Sequence, residues 1–141
     1  MSLLIIVKPS IKKHSKKSLN WLIDTCKTHQ LAYCTLFTSG DFEHDREQIK
    51  AQLSKVNKVV VLGGDGTLHL AVNALMGSHC SLALLPCGTG NDFSRGFDCH
   101  IEQWRQALFN PPIAIDIGKI NTRYFINIAG VGFDAHVVKA I

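Results

Sequence analysis

Two short glycine-rich runs carry the residues best suited to chemistry in this chain. They are Gly63-Gly64-Asp65-Gly66-Thr67 and Gly88-Thr89-Gly90-Asn91-Asp92. Glycine lets a backbone approach a ligand closely and adopt positive φ, so that successive N–H groups can face one anion. A helix starting at such a loop adds unpaired N–H groups and a partial positive charge, which favours phosphate. Thr67 suits the N-cap of that helix and can also meet a phosphate oxygen. An aspartate in a phosphate cradle repels its ligand unless a cation intervenes. Asp65 therefore points to Mg²⁺, or to proton transfer from an acceptor hydroxyl. The G-x-x-x-x-G-K-[ST] run of P-loop NTPases is missing, and so is a G-x-G-x-x-G after the first strand.

The elements that must hold these loops follow from periodicity. Leu3 to Val7 reads as a strand, apolar throughout and therefore central. Apolar positions Leu19, Leu22, Ile23 and Cys26 keep helical spacing over about Ser15 to His29. Leu31 to Phe37 is a second strand; Ser39 or Asp41 can then cap a helix over Phe42 to Lys55. Val59 to Leu62 is a third strand, and Leu68, Ala71, Val72 and Leu75 mark one face of the helix after the first glycine run. Ser81 to Leu85 is a fourth strand, and the second glycine run follows it. A short helix spans Ile101 to Phe109, then Ile113 to Ile120 and Tyr124 to Ala129 form a hairpin, and a helical run begins after Gly130 and Gly132. Alternating strand and helix predict an α/β fold: an open, mostly parallel sheet flanked by helices, with an antiparallel hairpin near the C-terminus. Ligands bind such sheets at the carboxyl ends of the strands, where both glycine runs fall. The two loops are expected to converge there on one pocket of backbone amides.

Composition narrows the function. The chain has 141 residues, 46% hydrophobic and 18% charged, which suits one globular domain. The net charge of +4 is concentrated in KKHSKK at 12–17, a solvated segment or a contact for polyphosphate or an anionic membrane. No basic and aromatic interleaving points to nucleic acid. Five cysteines without a C-x-x-C pair predict reduced thiols and a cytoplasmic location. Trp21 and Trp104 read as packing residues, the seven histidines as surface or satisfied core, and Cys87 as no nucleophile. Arg95 and Arg123 are open between phosphate contact and plain ion pairing.

GGDGT, followed by LPCGTGNDFSR and then DIGKINTRYFINIAGVGFDA, resembles the catalytic domain of the diacylglycerol kinase and sphingosine kinase family, most of all its bacterial lipid kinases. GGDGT alone is shared with NAD kinases; GTGND is far more specific to the lipid kinases. The likeness is good over about residues 58–136 and looser before. It implies ATP, Mg²⁺ and phosphoryl transfer to a lipid hydroxyl at the membrane surface. By the match, Gly63, Gly64, Gly66 and Thr67 cradle ATP phosphates, and Gly88, Thr89, Gly90, Asn91 and Asp92 line the nucleotide cleft. Asp65 acts through Mg²⁺ or, as in the sphingosine kinase branch, as a base. Thr38 falls where the family has a nucleotide-contacting threonine, and Asp134, with Gly130 and Gly132, where the acceptor side begins. Lys8 replaces the family's nucleotide-holding asparagine, and Ile11 a glycine; the lysine can still meet a phosphate. The family's catalytic domains continue into a β-rich lobe. Residues 1–141 therefore read as the N-terminal nucleotide-binding lobe without it, weakly active or inactive alone and prone to self-associate. A nucleotide-sensing module without catalysis and an NAD kinase-like phosphotransferase are the alternatives.

Overall fold

Four parallel strands form the central sheet of the computed structural model, which describes residues 1–8 and 13–127. They are β1 (Ser2–Val7), β2 (Ala32–Phe37), β3 (Lys58–Gly63) and β4 (Ser81–Pro86), in the order β2-β1-β3-β4. β1 and β3 are the two inner strands, and both are buried almost throughout, as their unbroken apolar runs require. β2 lies at an edge, and most of its residues are exposed or half-buried.

Side chains alternate across each strand, so the inner strands feed two core layers. Leu4, Ile6, Val59 and Val61 pack against Ile49 of α2 (Phe42–Lys50) and against Leu68, Ala71 and Leu75 of α3 (Asp65–Leu75). Leu3, Ile5, Val7, Val60 and Leu62 pack on the opposite face against Leu19, Leu22 and Cys26 of α1 (Lys13–Thr28). Leu108, just after α5 (Ile101–Ala107), joins that second layer. Trp104 touches both layers and Trp21 packs against the second, which fits their expected packing role.

Strand order reverses between β1 and β3, because the chain moves outward to β2 and then crosses back. A crevice opens at the carboxyl ends of strands at such a point. The first glycine run leaves β3 on its rim.

Several boundaries differ from the periodicity. The helix expected to reach Lys55 stops at Lys50, and Leu53–Lys55 continue as a 3₁₀ turn. A short helix, α4 (Asp92–Arg95), starts at the last residue of the second glycine run, where only a loop was expected. Of the expected strand over 113–120, only β5 (Gly118–Ile120) forms, paired antiparallel with β6 (Arg123–Phe125). Pro111 and Pro112 lack the N–H a ladder needs, and Ile113 lies 83% exposed with no strand beside it. The hairpin is a separate two-stranded sheet. The expected helix after Gly132 lies outside the described residues.

Candidate functional site

The two glycine loops meet. A Cβ on Gly64 would lie 2.9 Å from Gly88 Cα, and one on Gly88 would lie 2.5 Å from Gly64 Cα. Any side chain at either position would wedge the loops apart. The β3–β4 ladder ends at Gly63 opposite Pro86, and Cys87 N–H donates to Gly63 O at 2.8 Å. The ladder thus carries both loops to the same rim.

Among the described residues the N–H groups of Gly64, Gly66 and Thr67 in the first loop have no partner, whereas the Asp65 N–H faces its own carboxylate. Gly64 is the N-cap of α3, and no side chain caps that end. Thr67 is therefore the third helical residue, which corrects the expectation that it caps the helix. Its side chain folds back over Gly63, where a Cβ would lie 2.6 Å from Thr67 Oγ1. Gly66 is exposed, and a Cβ there would meet nothing within 4 Å among the described residues. Neither packing nor steric crowding asks for glycine at position 66.

The second loop spends much of its hydrogen-bonding capacity on the protein itself. Gly88 N–H donates to Asn91 Oδ1 at 2.8 Å, and Asn91 Nδ2 returns a bond to Gly88 O at 3.0 Å. Asn91 is left-handed at φ 57° and starts α4. Asp92 and Phe93 donate their N–H groups to the two oxygens of Asp65, each at 3.0 Å. Asp65 is thus the cap of α4 and ties one loop to the other across 27 residues. The shared pocket of amides expected from both loops is therefore supplied mainly by the first. Burial pushes the Asp65 carboxyl up, but the N–H groups of Phe93 and Asp92 outweigh it and hold the pKa below its ordinary value.

Asp92 stands beside Asp65. A Cβ on Gly90 would lie 3.3 Å from Asp65 Oδ2 and 3.8 Å from Asp92 Oδ1. Among the described residues no three His, Cys, Asp or Glu side chains gather as a metal cage. The two neighbouring carboxylates are nevertheless a donor set that fits Mg²⁺, which takes one or two carboxylates and fills the rest of its shell with water and other oxygen ligands. Arg95 pairs with Asp92 at 3.7 Å, and Arg123 with Glu43 at 3.3 Å, so both are ion-pairing residues here.

The other expected contacts are spread along the rim. Lys8 follows β1, between the ends of β2 and β3, and is half-buried. Thr89 is exposed at the loop tip. Thr38 is buried, and its N–H and hydroxyl both donate to Val7 O, at 2.9 and 3.4 Å. Its hydroxyl is thus engaged with β1. The turn after it closes on Asp45, a buried carboxylate absent from the sequence reading. Ser39 N–H donates to it at 2.9 and 3.0 Å, Ser39 Oγ at 2.8 Å and Gly40 N–H at 3.0 Å. Burial raises the Asp45 pKa, but these donors outweigh it and leave the pKa lowered. Asp41 caps α2, accepting from His44 N–H at 2.9 Å. Burial pushes the Cys87 thiol up, away from nucleophilic use. Asp134, Gly130 and Gly132 lie outside the described residues.

A cleft of about 270 Å³ separates α3 from the hairpin, lined by Asp65, Leu68, His69 and Asp92 on one side and Phe125, Ile126 and Asn127 on the other. Asn73 docks the hairpin. Its Nδ2 donates to Tyr124 O at 2.8 Å and to His69 O at 2.9 Å, and its Oδ1 accepts from Tyr124 N–H at 2.9 Å. His69 packs against the Phe42 ring, 5.6 Å between centroids. Burial first, and then Arg123, lower its pKa, so the ring is neutral at pH 7. His69 and Asn73 escaped the sequence reading. Their spacing of four and eight residues from Asp65 on one helix was the available signal.

The profile of the diacylglycerol kinase catalytic domain matches residues 2–120. The protein named "Probable lipid kinase YegS-like" from Chromohalobacter salexigens is 34% identical over 119 residues, 79% of this chain and 38% of its own length. The diacylglycerol kinase of Bacillus subtilis is 36% identical over 100 residues, 67% of this chain and 32% of its own. Among solved structures, a diacylglycerol kinase from Bacillus anthracis superposes with a TM-score of 0.75 at 26% identity, covering 98% of this chain and 50% of that one. The chain spans half or less of the length of these relatives.

Proposed function

Because the chain belongs to the diacylglycerol kinase catalytic-domain family, we propose that it supplies the ATP-binding lobe of a lipid kinase, which moves the γ-phosphoryl group of ATP onto a lipid hydroxyl of the diacylglycerol type. The observation that carries this reading is the uncapped first turn of α3, with Gly66 in open space among the described residues and the carboxylates of Asp65 and Asp92 gathered around Gly90 of the second loop. A glycine costs helix stability, and neither packing nor steric crowding accounts for this one. Close approach of a phosphate to the backbone gives it a reason.

Phosphoryl transfer asks mainly for positioning and charge neutralisation. The N–H groups of Gly64, Gly66 and Thr67 would bind phosphate oxygens. Gly63 makes room for Thr67, and Lys8 adds positive charge from the neighbouring strand end. Gly88, Thr89, Gly90 and Asn91 form the wall against the nucleotide. Thr38 acts at one remove, by fixing the end of β1. Asp65 and Asp92 would hold Mg²⁺, which would supply neutralisation of phosphate charge. Asp65 has a second task, because it also fastens the wall to the cradle. By family likeness Asp134 belongs to the acceptor side. The lipid would be met peripherally, from the cytoplasmic side of a membrane.

Calorimetric titration with Mg²⁺ and ATP, beside a transfer assay over a panel of lipid alcohols, tests this. Saturable ATP binding by the chain, with transfer to one lipid class by a polypeptide carrying both lobes, is the expected result. Binding without transfer to any lipid, in a polypeptide carrying both lobes, would make this a nucleotide-sensing module. No ATP binding at all would end the kinase reading.

A further inference from the structure

We propose that the cleft between α3 and the hairpin receives the acceptor's hydroxyl, and that His69 is the specificity-determining residue that recognises it; this rests on the lipid-kinase reading above. The ligand class is an alcohol on the headgroup of an apolar-tailed lipid.

The lining has two halves. Asp65, Asp92 and His69 supply polar groups, whereas Leu68, Phe125 and Ile126 supply apolar wall. A hydroxyl joined to an apolar body matches that division. The volume, about 270 Å³, falls just below the ~300–1,000 Å³ of ordinary small-molecule sites. It admits a headgroup and is too small for a nucleotide. His69 lies one helical turn beyond Asp65, on the same stripe of α3, so a group beside its ring is also beside the carboxylate at the cradle.

The ring is suited to a hydroxyl. Neutral imidazole has one donor and one acceptor nitrogen, which complement an alcohol that both gives and takes a hydrogen bond. The ring is half-buried and makes no hydrogen bond among the described residues; Phe42 packs against it. Charged groups around it are Asp65 on its own helix, Asp92 at the start of α4 on the same side of the cleft, and the Arg123–Glu43 pair between the hairpin and α2. The opposite wall is held at a set distance, because Asn73 grips both backbone groups of Tyr124 one turn further along α3.

The test follows the histidine ring resonances of the chain during titration with dioctanoylglycerol in detergent micelles, with empty micelles as background. A matched lipid whose free hydroxyl is methylated serves as the second probe. Mg²⁺–ATP affinity is measured separately by calorimetry. The alcohol should shift the His69 resonance saturably and bind about 10-fold more tightly than its methyl ether, the worth of one good hydrogen bond. His69→Leu should erase that preference, and His69→Asn, which keeps a donor and an acceptor, should retain part of it. ATP affinity should be the same in all three proteins. Equal binding of alcohol and ether, binding of neither, or an unchanged preference in His69→Leu would overturn the assignment. Loss of ATP binding with the lipid preference intact would overturn the kinase reading and leave the hydroxyl site standing.

Discussion

Gly66→Ala separates a ligand's demand for glycine from the fold's. A methyl at this position meets no atom within 4 Å among the described residues, and the residue has no positive φ to protect. Replacing glycine in a helix by alanine should therefore stabilise the free protein, by about 0.5–1 kcal/mol. For a domain of this size that raises Tm by about 2–4 °C. Binding should move the other way. The methyl intrudes where the first turn of α3 must approach phosphate, and a hydrogen bond to a charged group is worth about 1.5–3 kcal/mol. ATP affinity should fall about 10- to 100-fold. Thermal melts without ligand and calorimetry with Mg²⁺–ATP read the two effects independently. Gly88→Ala is the contrast. Its methyl would be driven to 2.5 Å from Gly64 Cα, costing about 1–3 kcal/mol, so stability and affinity should fall together. A Gly66→Ala protein that binds ATP as well as wild type would refute the reasoning.

Asp65→Ala should lower stability by about 1–2 kcal/mol in the absence of any nucleotide, through the lost cap of α4; an unchanged melt would show that Asp65 is no staple. Asp45→Asn should cost about 2–3 kcal/mol at pH 7, because the amide leaves the N–H groups of Ser39 and Gly40 short of an acceptor. The native Asp45 carboxyl titrates below its ordinary 3.8, so its stabilisation is complete above that value and is lost as pH falls through the native pKa. Urea melts should accordingly show the gap to Asp45→Asn closing in acid. Lys58 is buried and donates to Leu108 O, and burial lowers its pKa from 10.5. Its charged form costs the native state, and that cost is relieved as pH rises from the native pKa towards 10.5; wild type should gain on Lys58→Met across that alkaline window. Exposed Ile113, Ile115 and Ile120 near the hairpin predict concentration-dependent self-association, and a single monomer boundary in sedimentation at high concentration would contradict it.

The parts of the fold that depend on local rules were legible in the amino-acid order. Unbroken apolar runs marked β1 and β3 as inner strands, because a parallel strand buried on both faces has no polar side to show. The spacing Leu68, Ala71, Val72, Leu75 marked α3, and two glycine runs after consecutive strands marked the rim where the two loops meet. Tertiary contact alone decided how the polar groups are shared there. The sequence offers Asp65 as a metal or proton ligand, and only the fold adds that Asp92 and Phe93, far along the chain, place their amides on it. Thr38 reads as an open hydroxyl until Val7 takes it, and Asp45 has no visible task until the Ser39–Gly40 turn folds over it. His69 comes to line a cleft only when Asn73 fixes a hairpin opposite it. Periodicity and φ preference belong to neighbouring residues, so a sequence displays them. Which donor satisfies which acceptor depends on groups brought together by packing, and packing is settled by the whole chain at once.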